Sequence, residues 1–232
     1  MGSESYEIQG QTVTLPVVVR DASAGVAFFD VDAEAAQRFL PGDAFEVVET
    51  APGTAQLLVA LIDYRDNDLG DYLEVGLTLF VRPKGGAEGS DGTFIVHLPV
   101  DQAFTNEAGR TIWGFPKSVE EITADYADDS VTWTLTMDGQ LVLRITVPRG
   151  GSDEMGDVEI QTYSYKDGRP HTTPFSQGGR GSQMVLGPDG VSVELGDHPI
   201  AKELAALGLP KPAAMSSWTE HMHATFGPAV PL

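Results

Sequence analysis

The 232-residue chain contains no cysteine, which excludes disulfides, a thiol nucleophile and cysteine-ligated zinc. Positive charge is scarce: 14 Lys and Arg stand against 34 Asp and Glu, a formal net charge of −20. Phosphates would meet a field of their own sign, so neither nucleic acid nor an anionic membrane is an expected partner. No apolar run approaches the ~20 residues of a membrane span. The opening Met1-Gly2-Ser3-Glu4-Ser5-Tyr6-Glu7 has neither the basic nor the apolar region of a signal peptide, so a cytoplasmic location is expected. Catalytic motifs are missing too. There is no Gly-x-Ser-x-Gly elbow. Gly178-Gly179-Arg180-Gly181 lacks the spacing of a phosphate-binding loop and reads as an ordinary loop. His221 and His223 share one face of a strand without a third ligand at sensible spacing, and His97, His171 and His198 are isolated, so no metal is expected.

What the chain does have is strand-forming sequence. A chain of this length buries roughly 70% of the surface it exposes when unfolded, enough for a single domain over residues 1–232. Two strands are expected between Glu7 and Phe29, separated by a turn at Asp21-Ala22-Ser23-Ala24-Gly25. Asp32 suits the N-cap of a short helix that Pro41-Gly42 ends. Strands follow at Phe45–Glu49 and Ala55–Tyr64, then an acidic loop from Asp63 to Asp71, a strand from Tyr72 to Arg82, and a loop over Pro83–Gly92. A helix capped by Asp101 is expected before a turn at Gly109. Asp138-Gly139 marks a tight hairpin between Ser130–Thr136 and Gln140–Val147. Pro199 to Leu207 carries Ile200, Leu204 and Leu207 on one helical face, with Gly208 after it. Many strands, few short helices and no βαβ rhythm imply a mainly β (α+β) domain, an antiparallel or mixed barrel or sandwich.

The chemistry concentrates at Asn106-Glu107-Ala108-Gly109-Arg110-Thr111-Ile112-Trp113-Gly114-Phe115-Pro116-Lys117-Ser118. Lys117 is one of five lysines (Lys84, Lys117, Lys166, Lys202, Lys211) and follows two aromatics, a glycine and a proline. Trp113 and Phe115 supply apolar bulk that strips water from an amine, and Lys117 is a candidate nucleophile. At the ordinary lysine pKa of ~10.4 about 0.04% of it would be neutral at pH 7. Lowering that pKa to ~7 needs roughly 4 to 5 kcal/mol. Glu74 lies in an otherwise apolar strand, on the parity of Gly76 and Thr78 and opposite Val75, Leu77 and Leu79. That parity suits a wet outer face or a polar lumen; in a lumen Glu74 would move protons.

Gly-Arg-x-x-x-Gly-Phe-Pro-Lys resembles the signature of the acetoacetate decarboxylase family. Leu69-Gly70-Asp71-Tyr72-Leu73-Glu74 resembles its active-site glutamate segment, at a 43-residue spacing from Lys117 close to the family's, and the stretch from His198 to Leu207 resembles its C-terminal helix. The resemblance implies a closed, cone-like β-barrel with small flanking helices and a lysine facing the lumen. It also implies a cofactor-independent lyase that forms a Schiff base with a small keto acid, and a homo-oligomer. Acetoacetate decarboxylase is itself the standing example of a lysine activated by desolvation or a neighbouring cation. The decarboxylases of this family carry a second lysine where this chain has Ser118, and favour an acidic residue where it has Thr111. One device for lowering the amine's pKa is therefore missing. Arg20 and Arg110 are candidates for holding a substrate carboxylate, and Arg110 is equally a candidate anchor for loop carbonyls. Two alternatives to decarboxylation stay open: aldolase-, dehydratase- or cyclase-type imine chemistry on an α-keto acid, and a non-catalytic barrel that binds a small ligand.

Overall fold

A computed structural model describes residues 4–87 and 89–232; Met1 to Ser3 of the N-terminal reading and Glu88 of the Pro83–Gly92 loop lie outside the described residues. The hairpin β1 (Ser5–Ile8) and β2 (Gln11–Thr14) leads into β3 (Val17–Asp32), α1 (Ala33–Phe39), β4 (Phe45–Val47), β5 (Thr54–Asn67), β6 (Tyr72–Pro83) and β7 (Gly92–Val100). Helix α2 (Ala103–Trp113) is followed by β8 (Lys117–Val119), β9 (Glu121–Tyr126), β10 (Ser130–Met137) and β11 (Gln140–Pro148). The long pair β12 (Asp153–Lys166) and β13 (Arg169–Leu186) comes next, then β14 (Ser192–Leu195), α3 (Pro199–Ala206), β15 (Met215–Phe226) and β16 (Val230–Pro231).

Seven strands pair in the order β6-β5-β3-β15-β13-β12-β7, and β7 pairs back onto β6, so the sheet closes on itself. Within the ring only β12 and β7 run parallel. The mainly β, closed barrel with short helices expected from the sequence is what forms. A second sheet, β14-β11-β10-β9, packs through Trp133, Leu135 and Val147 against the barrel face that carries Leu57, Val59, Leu61, Val75, Leu77 and Leu79. A seven-stranded barrel has no room inside for another sheet, so this face is its exterior. The opposite parity, with Glu74 on it, faces the lumen.

Local chemistry sets several of these elements. Asp32 Oδ1 accepts from the Ala35 N–H at 2.8 Å and caps α1, as its sequence position predicts. Pro199 sits in the first turn of α3, capped by His198 Nδ1, which accepts from the Ile200 N–H. The β10–β11 turn puts Asp138 at φ 51° and Gly139 at φ 70°, the two positive values such a hairpin requires.

Three expectations are corrected. Residues 21–25 are no turn: β3 runs unbroken through them, with a bulge beside Arg20 and Asp21. Gly25 is needed for approach instead, since a Cβ there would stand 2.9 Å from Val147 Cγ2 of the second sheet. Residues 178–181 are not a loop but the middle of β13, where a Cβ on Gly179 would lie 2.6 Å from Thr219 Cγ2. The acidic 63–71 loop is shorter than expected because β5 continues to Asn67.

Candidate active site

Helix α2 begins one residue later than the sequence suggests. The Asp101 carboxylate accepts from the Leu73 N–H, and Gln102 caps the helix by accepting from the Thr105 N–H. Gly109 does not end it. Thr105, Ala108, Gly109 and Ile112 form its buried face, and Gly114 (φ 70°) terminates it, its N–H donating to the Arg110 carbonyl. The chain then passes through Phe115 and Pro116 into β8, where Lys117 pairs with Leu98 of β7. On the other side of β7, Glu74 pairs with Val100. The two ionisable side chains thus flank one strand, diagonally opposed on its lumen face.

They meet there. Lys117 Nζ lies 2.8 Å from Glu74 Oε2, with the two side chains only 4% and 8% exposed. The ammonium also donates to Thr105 Oγ1 at 2.8 Å and stands 4.7 Å from the centre of the Tyr72 ring. Tyr64 donates its hydroxyl to Glu74 Oε1 at 3.2 Å, and its ring stacks on Tyr72 with centroids 4.3 Å apart. The lumen-facing Tyr64, Tyr72 and Val100 share an apolar cluster with Ala108, Ile112 and Trp113 of α2 and Ile8 and Val13 of the β1–β2 hairpin. These residues occupy one set of strand ends, so α2 and the hairpin close that end of the barrel.

Burial by itself pushes the Lys117 amine down, but the Glu74 carboxylate and Tyr72 beside it outweigh burial, and the pKa is raised above its ordinary value. The dryness expected from the sequence is present; the lowered pKa is not. Burial raises Tyr72, and burial together with the Glu74 charge raises Tyr64 well above the ordinary phenol range. Both phenols therefore stay neutral and keep a proton to donate.

The remaining candidates are placed differently. Arg20 is exposed, and its guanidinium is held by Asp66 and Asp68, each at 2.7 Å. Arg110 Nη1 donates to the Lys117 carbonyl at 3.0 Å, which fixes the backbone under the amine rather than reaching the lumen. Trp113 stacks on Phe115 and donates Nε1–H to the Gly227 carbonyl, so the pair builds the wall of the closed end. The aromatic ring against the amine is Tyr72. His221 pairs with Asp21 and His223 with Asp157, and among the described residues no three metal-ligating side chains converge. Those histidines line an open cleft of about 740 Å³ with Arg20, Asp21, Glu154 and Arg180. It lies on the barrel exterior, opposite the lumen-facing Met222, away from Lys117.

Sequence reasoning missed Tyr64, Tyr72 and Thr105. Tyr72 carried a signal, since it shares Glu74's parity two residues upstream on the same strand. Thr105 shares one helical face with Ala108 and Ile112. Tyr64 reaches Glu74 through the Tyr64–Tyr72 register, which no local pattern announces.

Gly109 makes room for the lysine: a Cβ there would stand 2.6 Å from Lys117 Cδ and 2.8 Å from Cε. Gly109→Ala is expected to lose stability, because the ~1 kcal/mol that alanine adds as the better helix former is smaller than the about 3 to 5 kcal/mol lost when Nζ moves off Glu74 and the buried pair is broken. Imine formation should slow by roughly 10- to 100-fold. Thermal melting alongside single-turnover trapping separates the two effects.

The sequence profile of the family described as acetoacetate decarboxylase (ADC) matches residues 6–229. Comparison with curated protein sequences finds no match. Among solved structures, acetoacetate decarboxylase from Legionella pneumophila subsp. pneumophila str. Philadelphia 1 is similar at 18% identity, over 94% of this chain and 87% of that one, with a TM-score of 0.66. An acetoacetate decarboxylase-like enzyme from Sphingomonas wittichii RW1 is similar at 16% identity over 96% of both chains, TM-score 0.61. The enduracididine biosynthesis enzyme MppR, solved with pyruvate, is similar at 16% identity over 100% of this chain and 98% of that one, TM-score 0.64. At these identities the structures speak for the fold, and the profile, spanning nearly all of the sequence, decides the rest: the chain belongs to the acetoacetate decarboxylase family.

Proposed function

We propose that this protein is a cofactor-independent carbon–carbon lyase that forms an imine between Lys117 and a small keto acid, with acetoacetate-type decarboxylation as its reaction. The observation that carries this reading is the buried contact of 2.8 Å between Lys117 Nζ and Glu74 Oε2. A resting ammonium cannot attack a ketone, but one proton moved along that contact yields a neutral amine and a carboxylic acid. Two buried charges vanish in the process, which a dry site favours. The raised pKa is then no obstacle, because the proton leaves the lysine without leaving the pair.

The amine nitrogen adds to the carbonyl carbon while Glu74 gives its proton to the former carbonyl oxygen; the carboxylate then takes a proton from that nitrogen and passes it to the new hydroxyl, which departs as water and leaves a protonated imine. The C–CO₂⁻ bond then breaks, its electron pair flowing to the imine nitrogen to give an enamine and CO₂. Protonation of the enamine carbon and hydrolysis release the ketone and restore the amine. Tyr64 holds the second Glu74 oxygen, so that Oε2 stays on the lysine.

A second reading keeps the imine and changes its fate to aldol addition, dehydration or cyclisation of an α-keto acid. Ser118 in place of a second cation supports it, as does the likeness to MppR, solved with the condensation product of pyruvate and imidazole 4-carboxaldehyde. Release of CO₂ from acetoacetate, assayed beside condensation of pyruvate with an aldehyde, separates the two. Release without condensation is the expected result; condensation alone would replace the first reading with the second.

A further inference from the structure

Resting on the imine reading above, we propose that the carbonyl substrate carries an extended apolar substituent, an alkyl chain of several carbons or a ring, which lies along the lumen from Lys117 towards the open end of the barrel. The sheet register places the lumen side chains in layers. Two residues beyond Glu74, each strand presents a small or apolar inward position, among them Val26, Ala60 and Gly76. Two residues further on, the paired positions Leu186, Met215, Phe28, Leu58, Thr78 and Ile95 run around the barrel on six neighbouring strands, with Thr78 their single polar member. At ~3.3 Å per residue this ring lies about 13 Å above Glu74, measured along the strand.

The inward Gly76, Thr78 and Leu98 are buried, but the β5 side of this inner surface is not sealed. On β5 the outward Leu57, Val59 and Leu61 are 0% exposed, whereas the inward Leu58, Ala60 and Ile62 are all partly exposed. Solvent therefore reaches apolar side chains along β5 as far as Ile62, the partner of Glu74 in the register, and at the rim Met184 and Leu186 are 63% and 77% exposed. Apolar surface left partly wet on the face that carries a buried reactive group is what a hydrocarbon ligand would cover.

The polar side of the site points the same way. Neither Lys117 Nζ nor Glu74 has an arginine partner among the described residues: the amine is held by Glu74 and Thr105, the carboxylate by Lys117 and Tyr64. The Arg20 guanidinium is occupied by two aspartates, and that of Arg110 by a backbone carbonyl. Neither of these two guanidinia faces the amine, so a keto acid's carboxylate gains no paired cation from them. An apolar tail supplies binding from a part of the molecule remote from the reacting bonds, while the carboxylate to be lost stays without a stabilising counter-ion.

The test is borohydride trapping of the whole chain with a series of methyl ketones, from acetone through methyl propyl and methyl pentyl to methyl heptyl ketone. Trapping efficiency at subsaturating ketone should rise by about fourfold per added methylene until the chain reaches the mouth. Ala60→Phe, which fills the lumen between the pair and the mouth, should flatten that rise. Trapping that is equal along the series, or best with acetone, overturns this inference and leaves the imine reading standing. Failure of every ketone to label the protein overturns both.

Discussion

Lys117→Met is expected to reduce turnover by at least ~10⁴-fold, the scale seen when the nucleophile of a covalent mechanism is removed. The same substitution bears on stability. It leaves Glu74 in a buried site with Tyr64 as its remaining partner. Breaking a buried pair from one side typically costs about 3 to 5 kcal/mol. Replacing both members with uncharged side chains of similar volume removes that penalty, so Lys117→Met/Glu74→Gln should unfold near the parent's denaturant midpoint and remain inactive. A double variant that regained stability and turned substrate over would show that Lys117 serves the fold and not the chemistry.

Glu74→Gln should lower the rate of imine formation by roughly 10²- to 10⁴-fold, the usual contribution of a positioned proton donor and acceptor. It should also invert the pH dependence. In the parent protein the reactive pair holds one proton, which it loses only as pH climbs through the raised lysine pKa. Trapping should therefore stay level from neutrality upward and fall in strong alkali. With glutamine at 74 the amine has no carboxylate beside it, and burial, which lowers its pKa, is left as the main influence. The variant must wait for a free neutral amine, so its slower trapping should rise with pH and level off below the ordinary lysine value. Parallel profiles in the two proteins would rule out a shared proton.

Much of this arrangement is legible in the sequence because it is local. Gly114, Phe115 and Pro116 before Lys117 announce a helix end and a change of direction, and the parity of β6 separates Glu74 from the Val75, Leu77 and Leu79 face. The Asp138-Gly139 turn and the Pro199 helix follow from backbone chemistry alone. What stayed hidden depends on non-local pairing. The small residues Ala22 to Gly25 read as a turn until the second sheet's approach to Gly25 is seen, and Gly109 reads as a helix stop until the lysine needs its space. Aromatics next to a lysine in sequence proved to wall the closed end, while the ring beside the amine came from position 72. The sign of the Lys117 shift was likewise out of reach. Dryness can be inferred from neighbours, but a carboxylate 2.8 Å away depends on how β6 and β8 lie across β7.

The most direct test of the account is reduction with borohydride in the presence of a carbonyl substrate, followed by peptide mapping. One covalent adduct is expected, on Lys117, formed at neutral pH despite the amine's raised pKa. An unlabelled Lys117 across the substrate panel, or label found instead on Lys84, Lys166, Lys202 or Lys211, would contradict it.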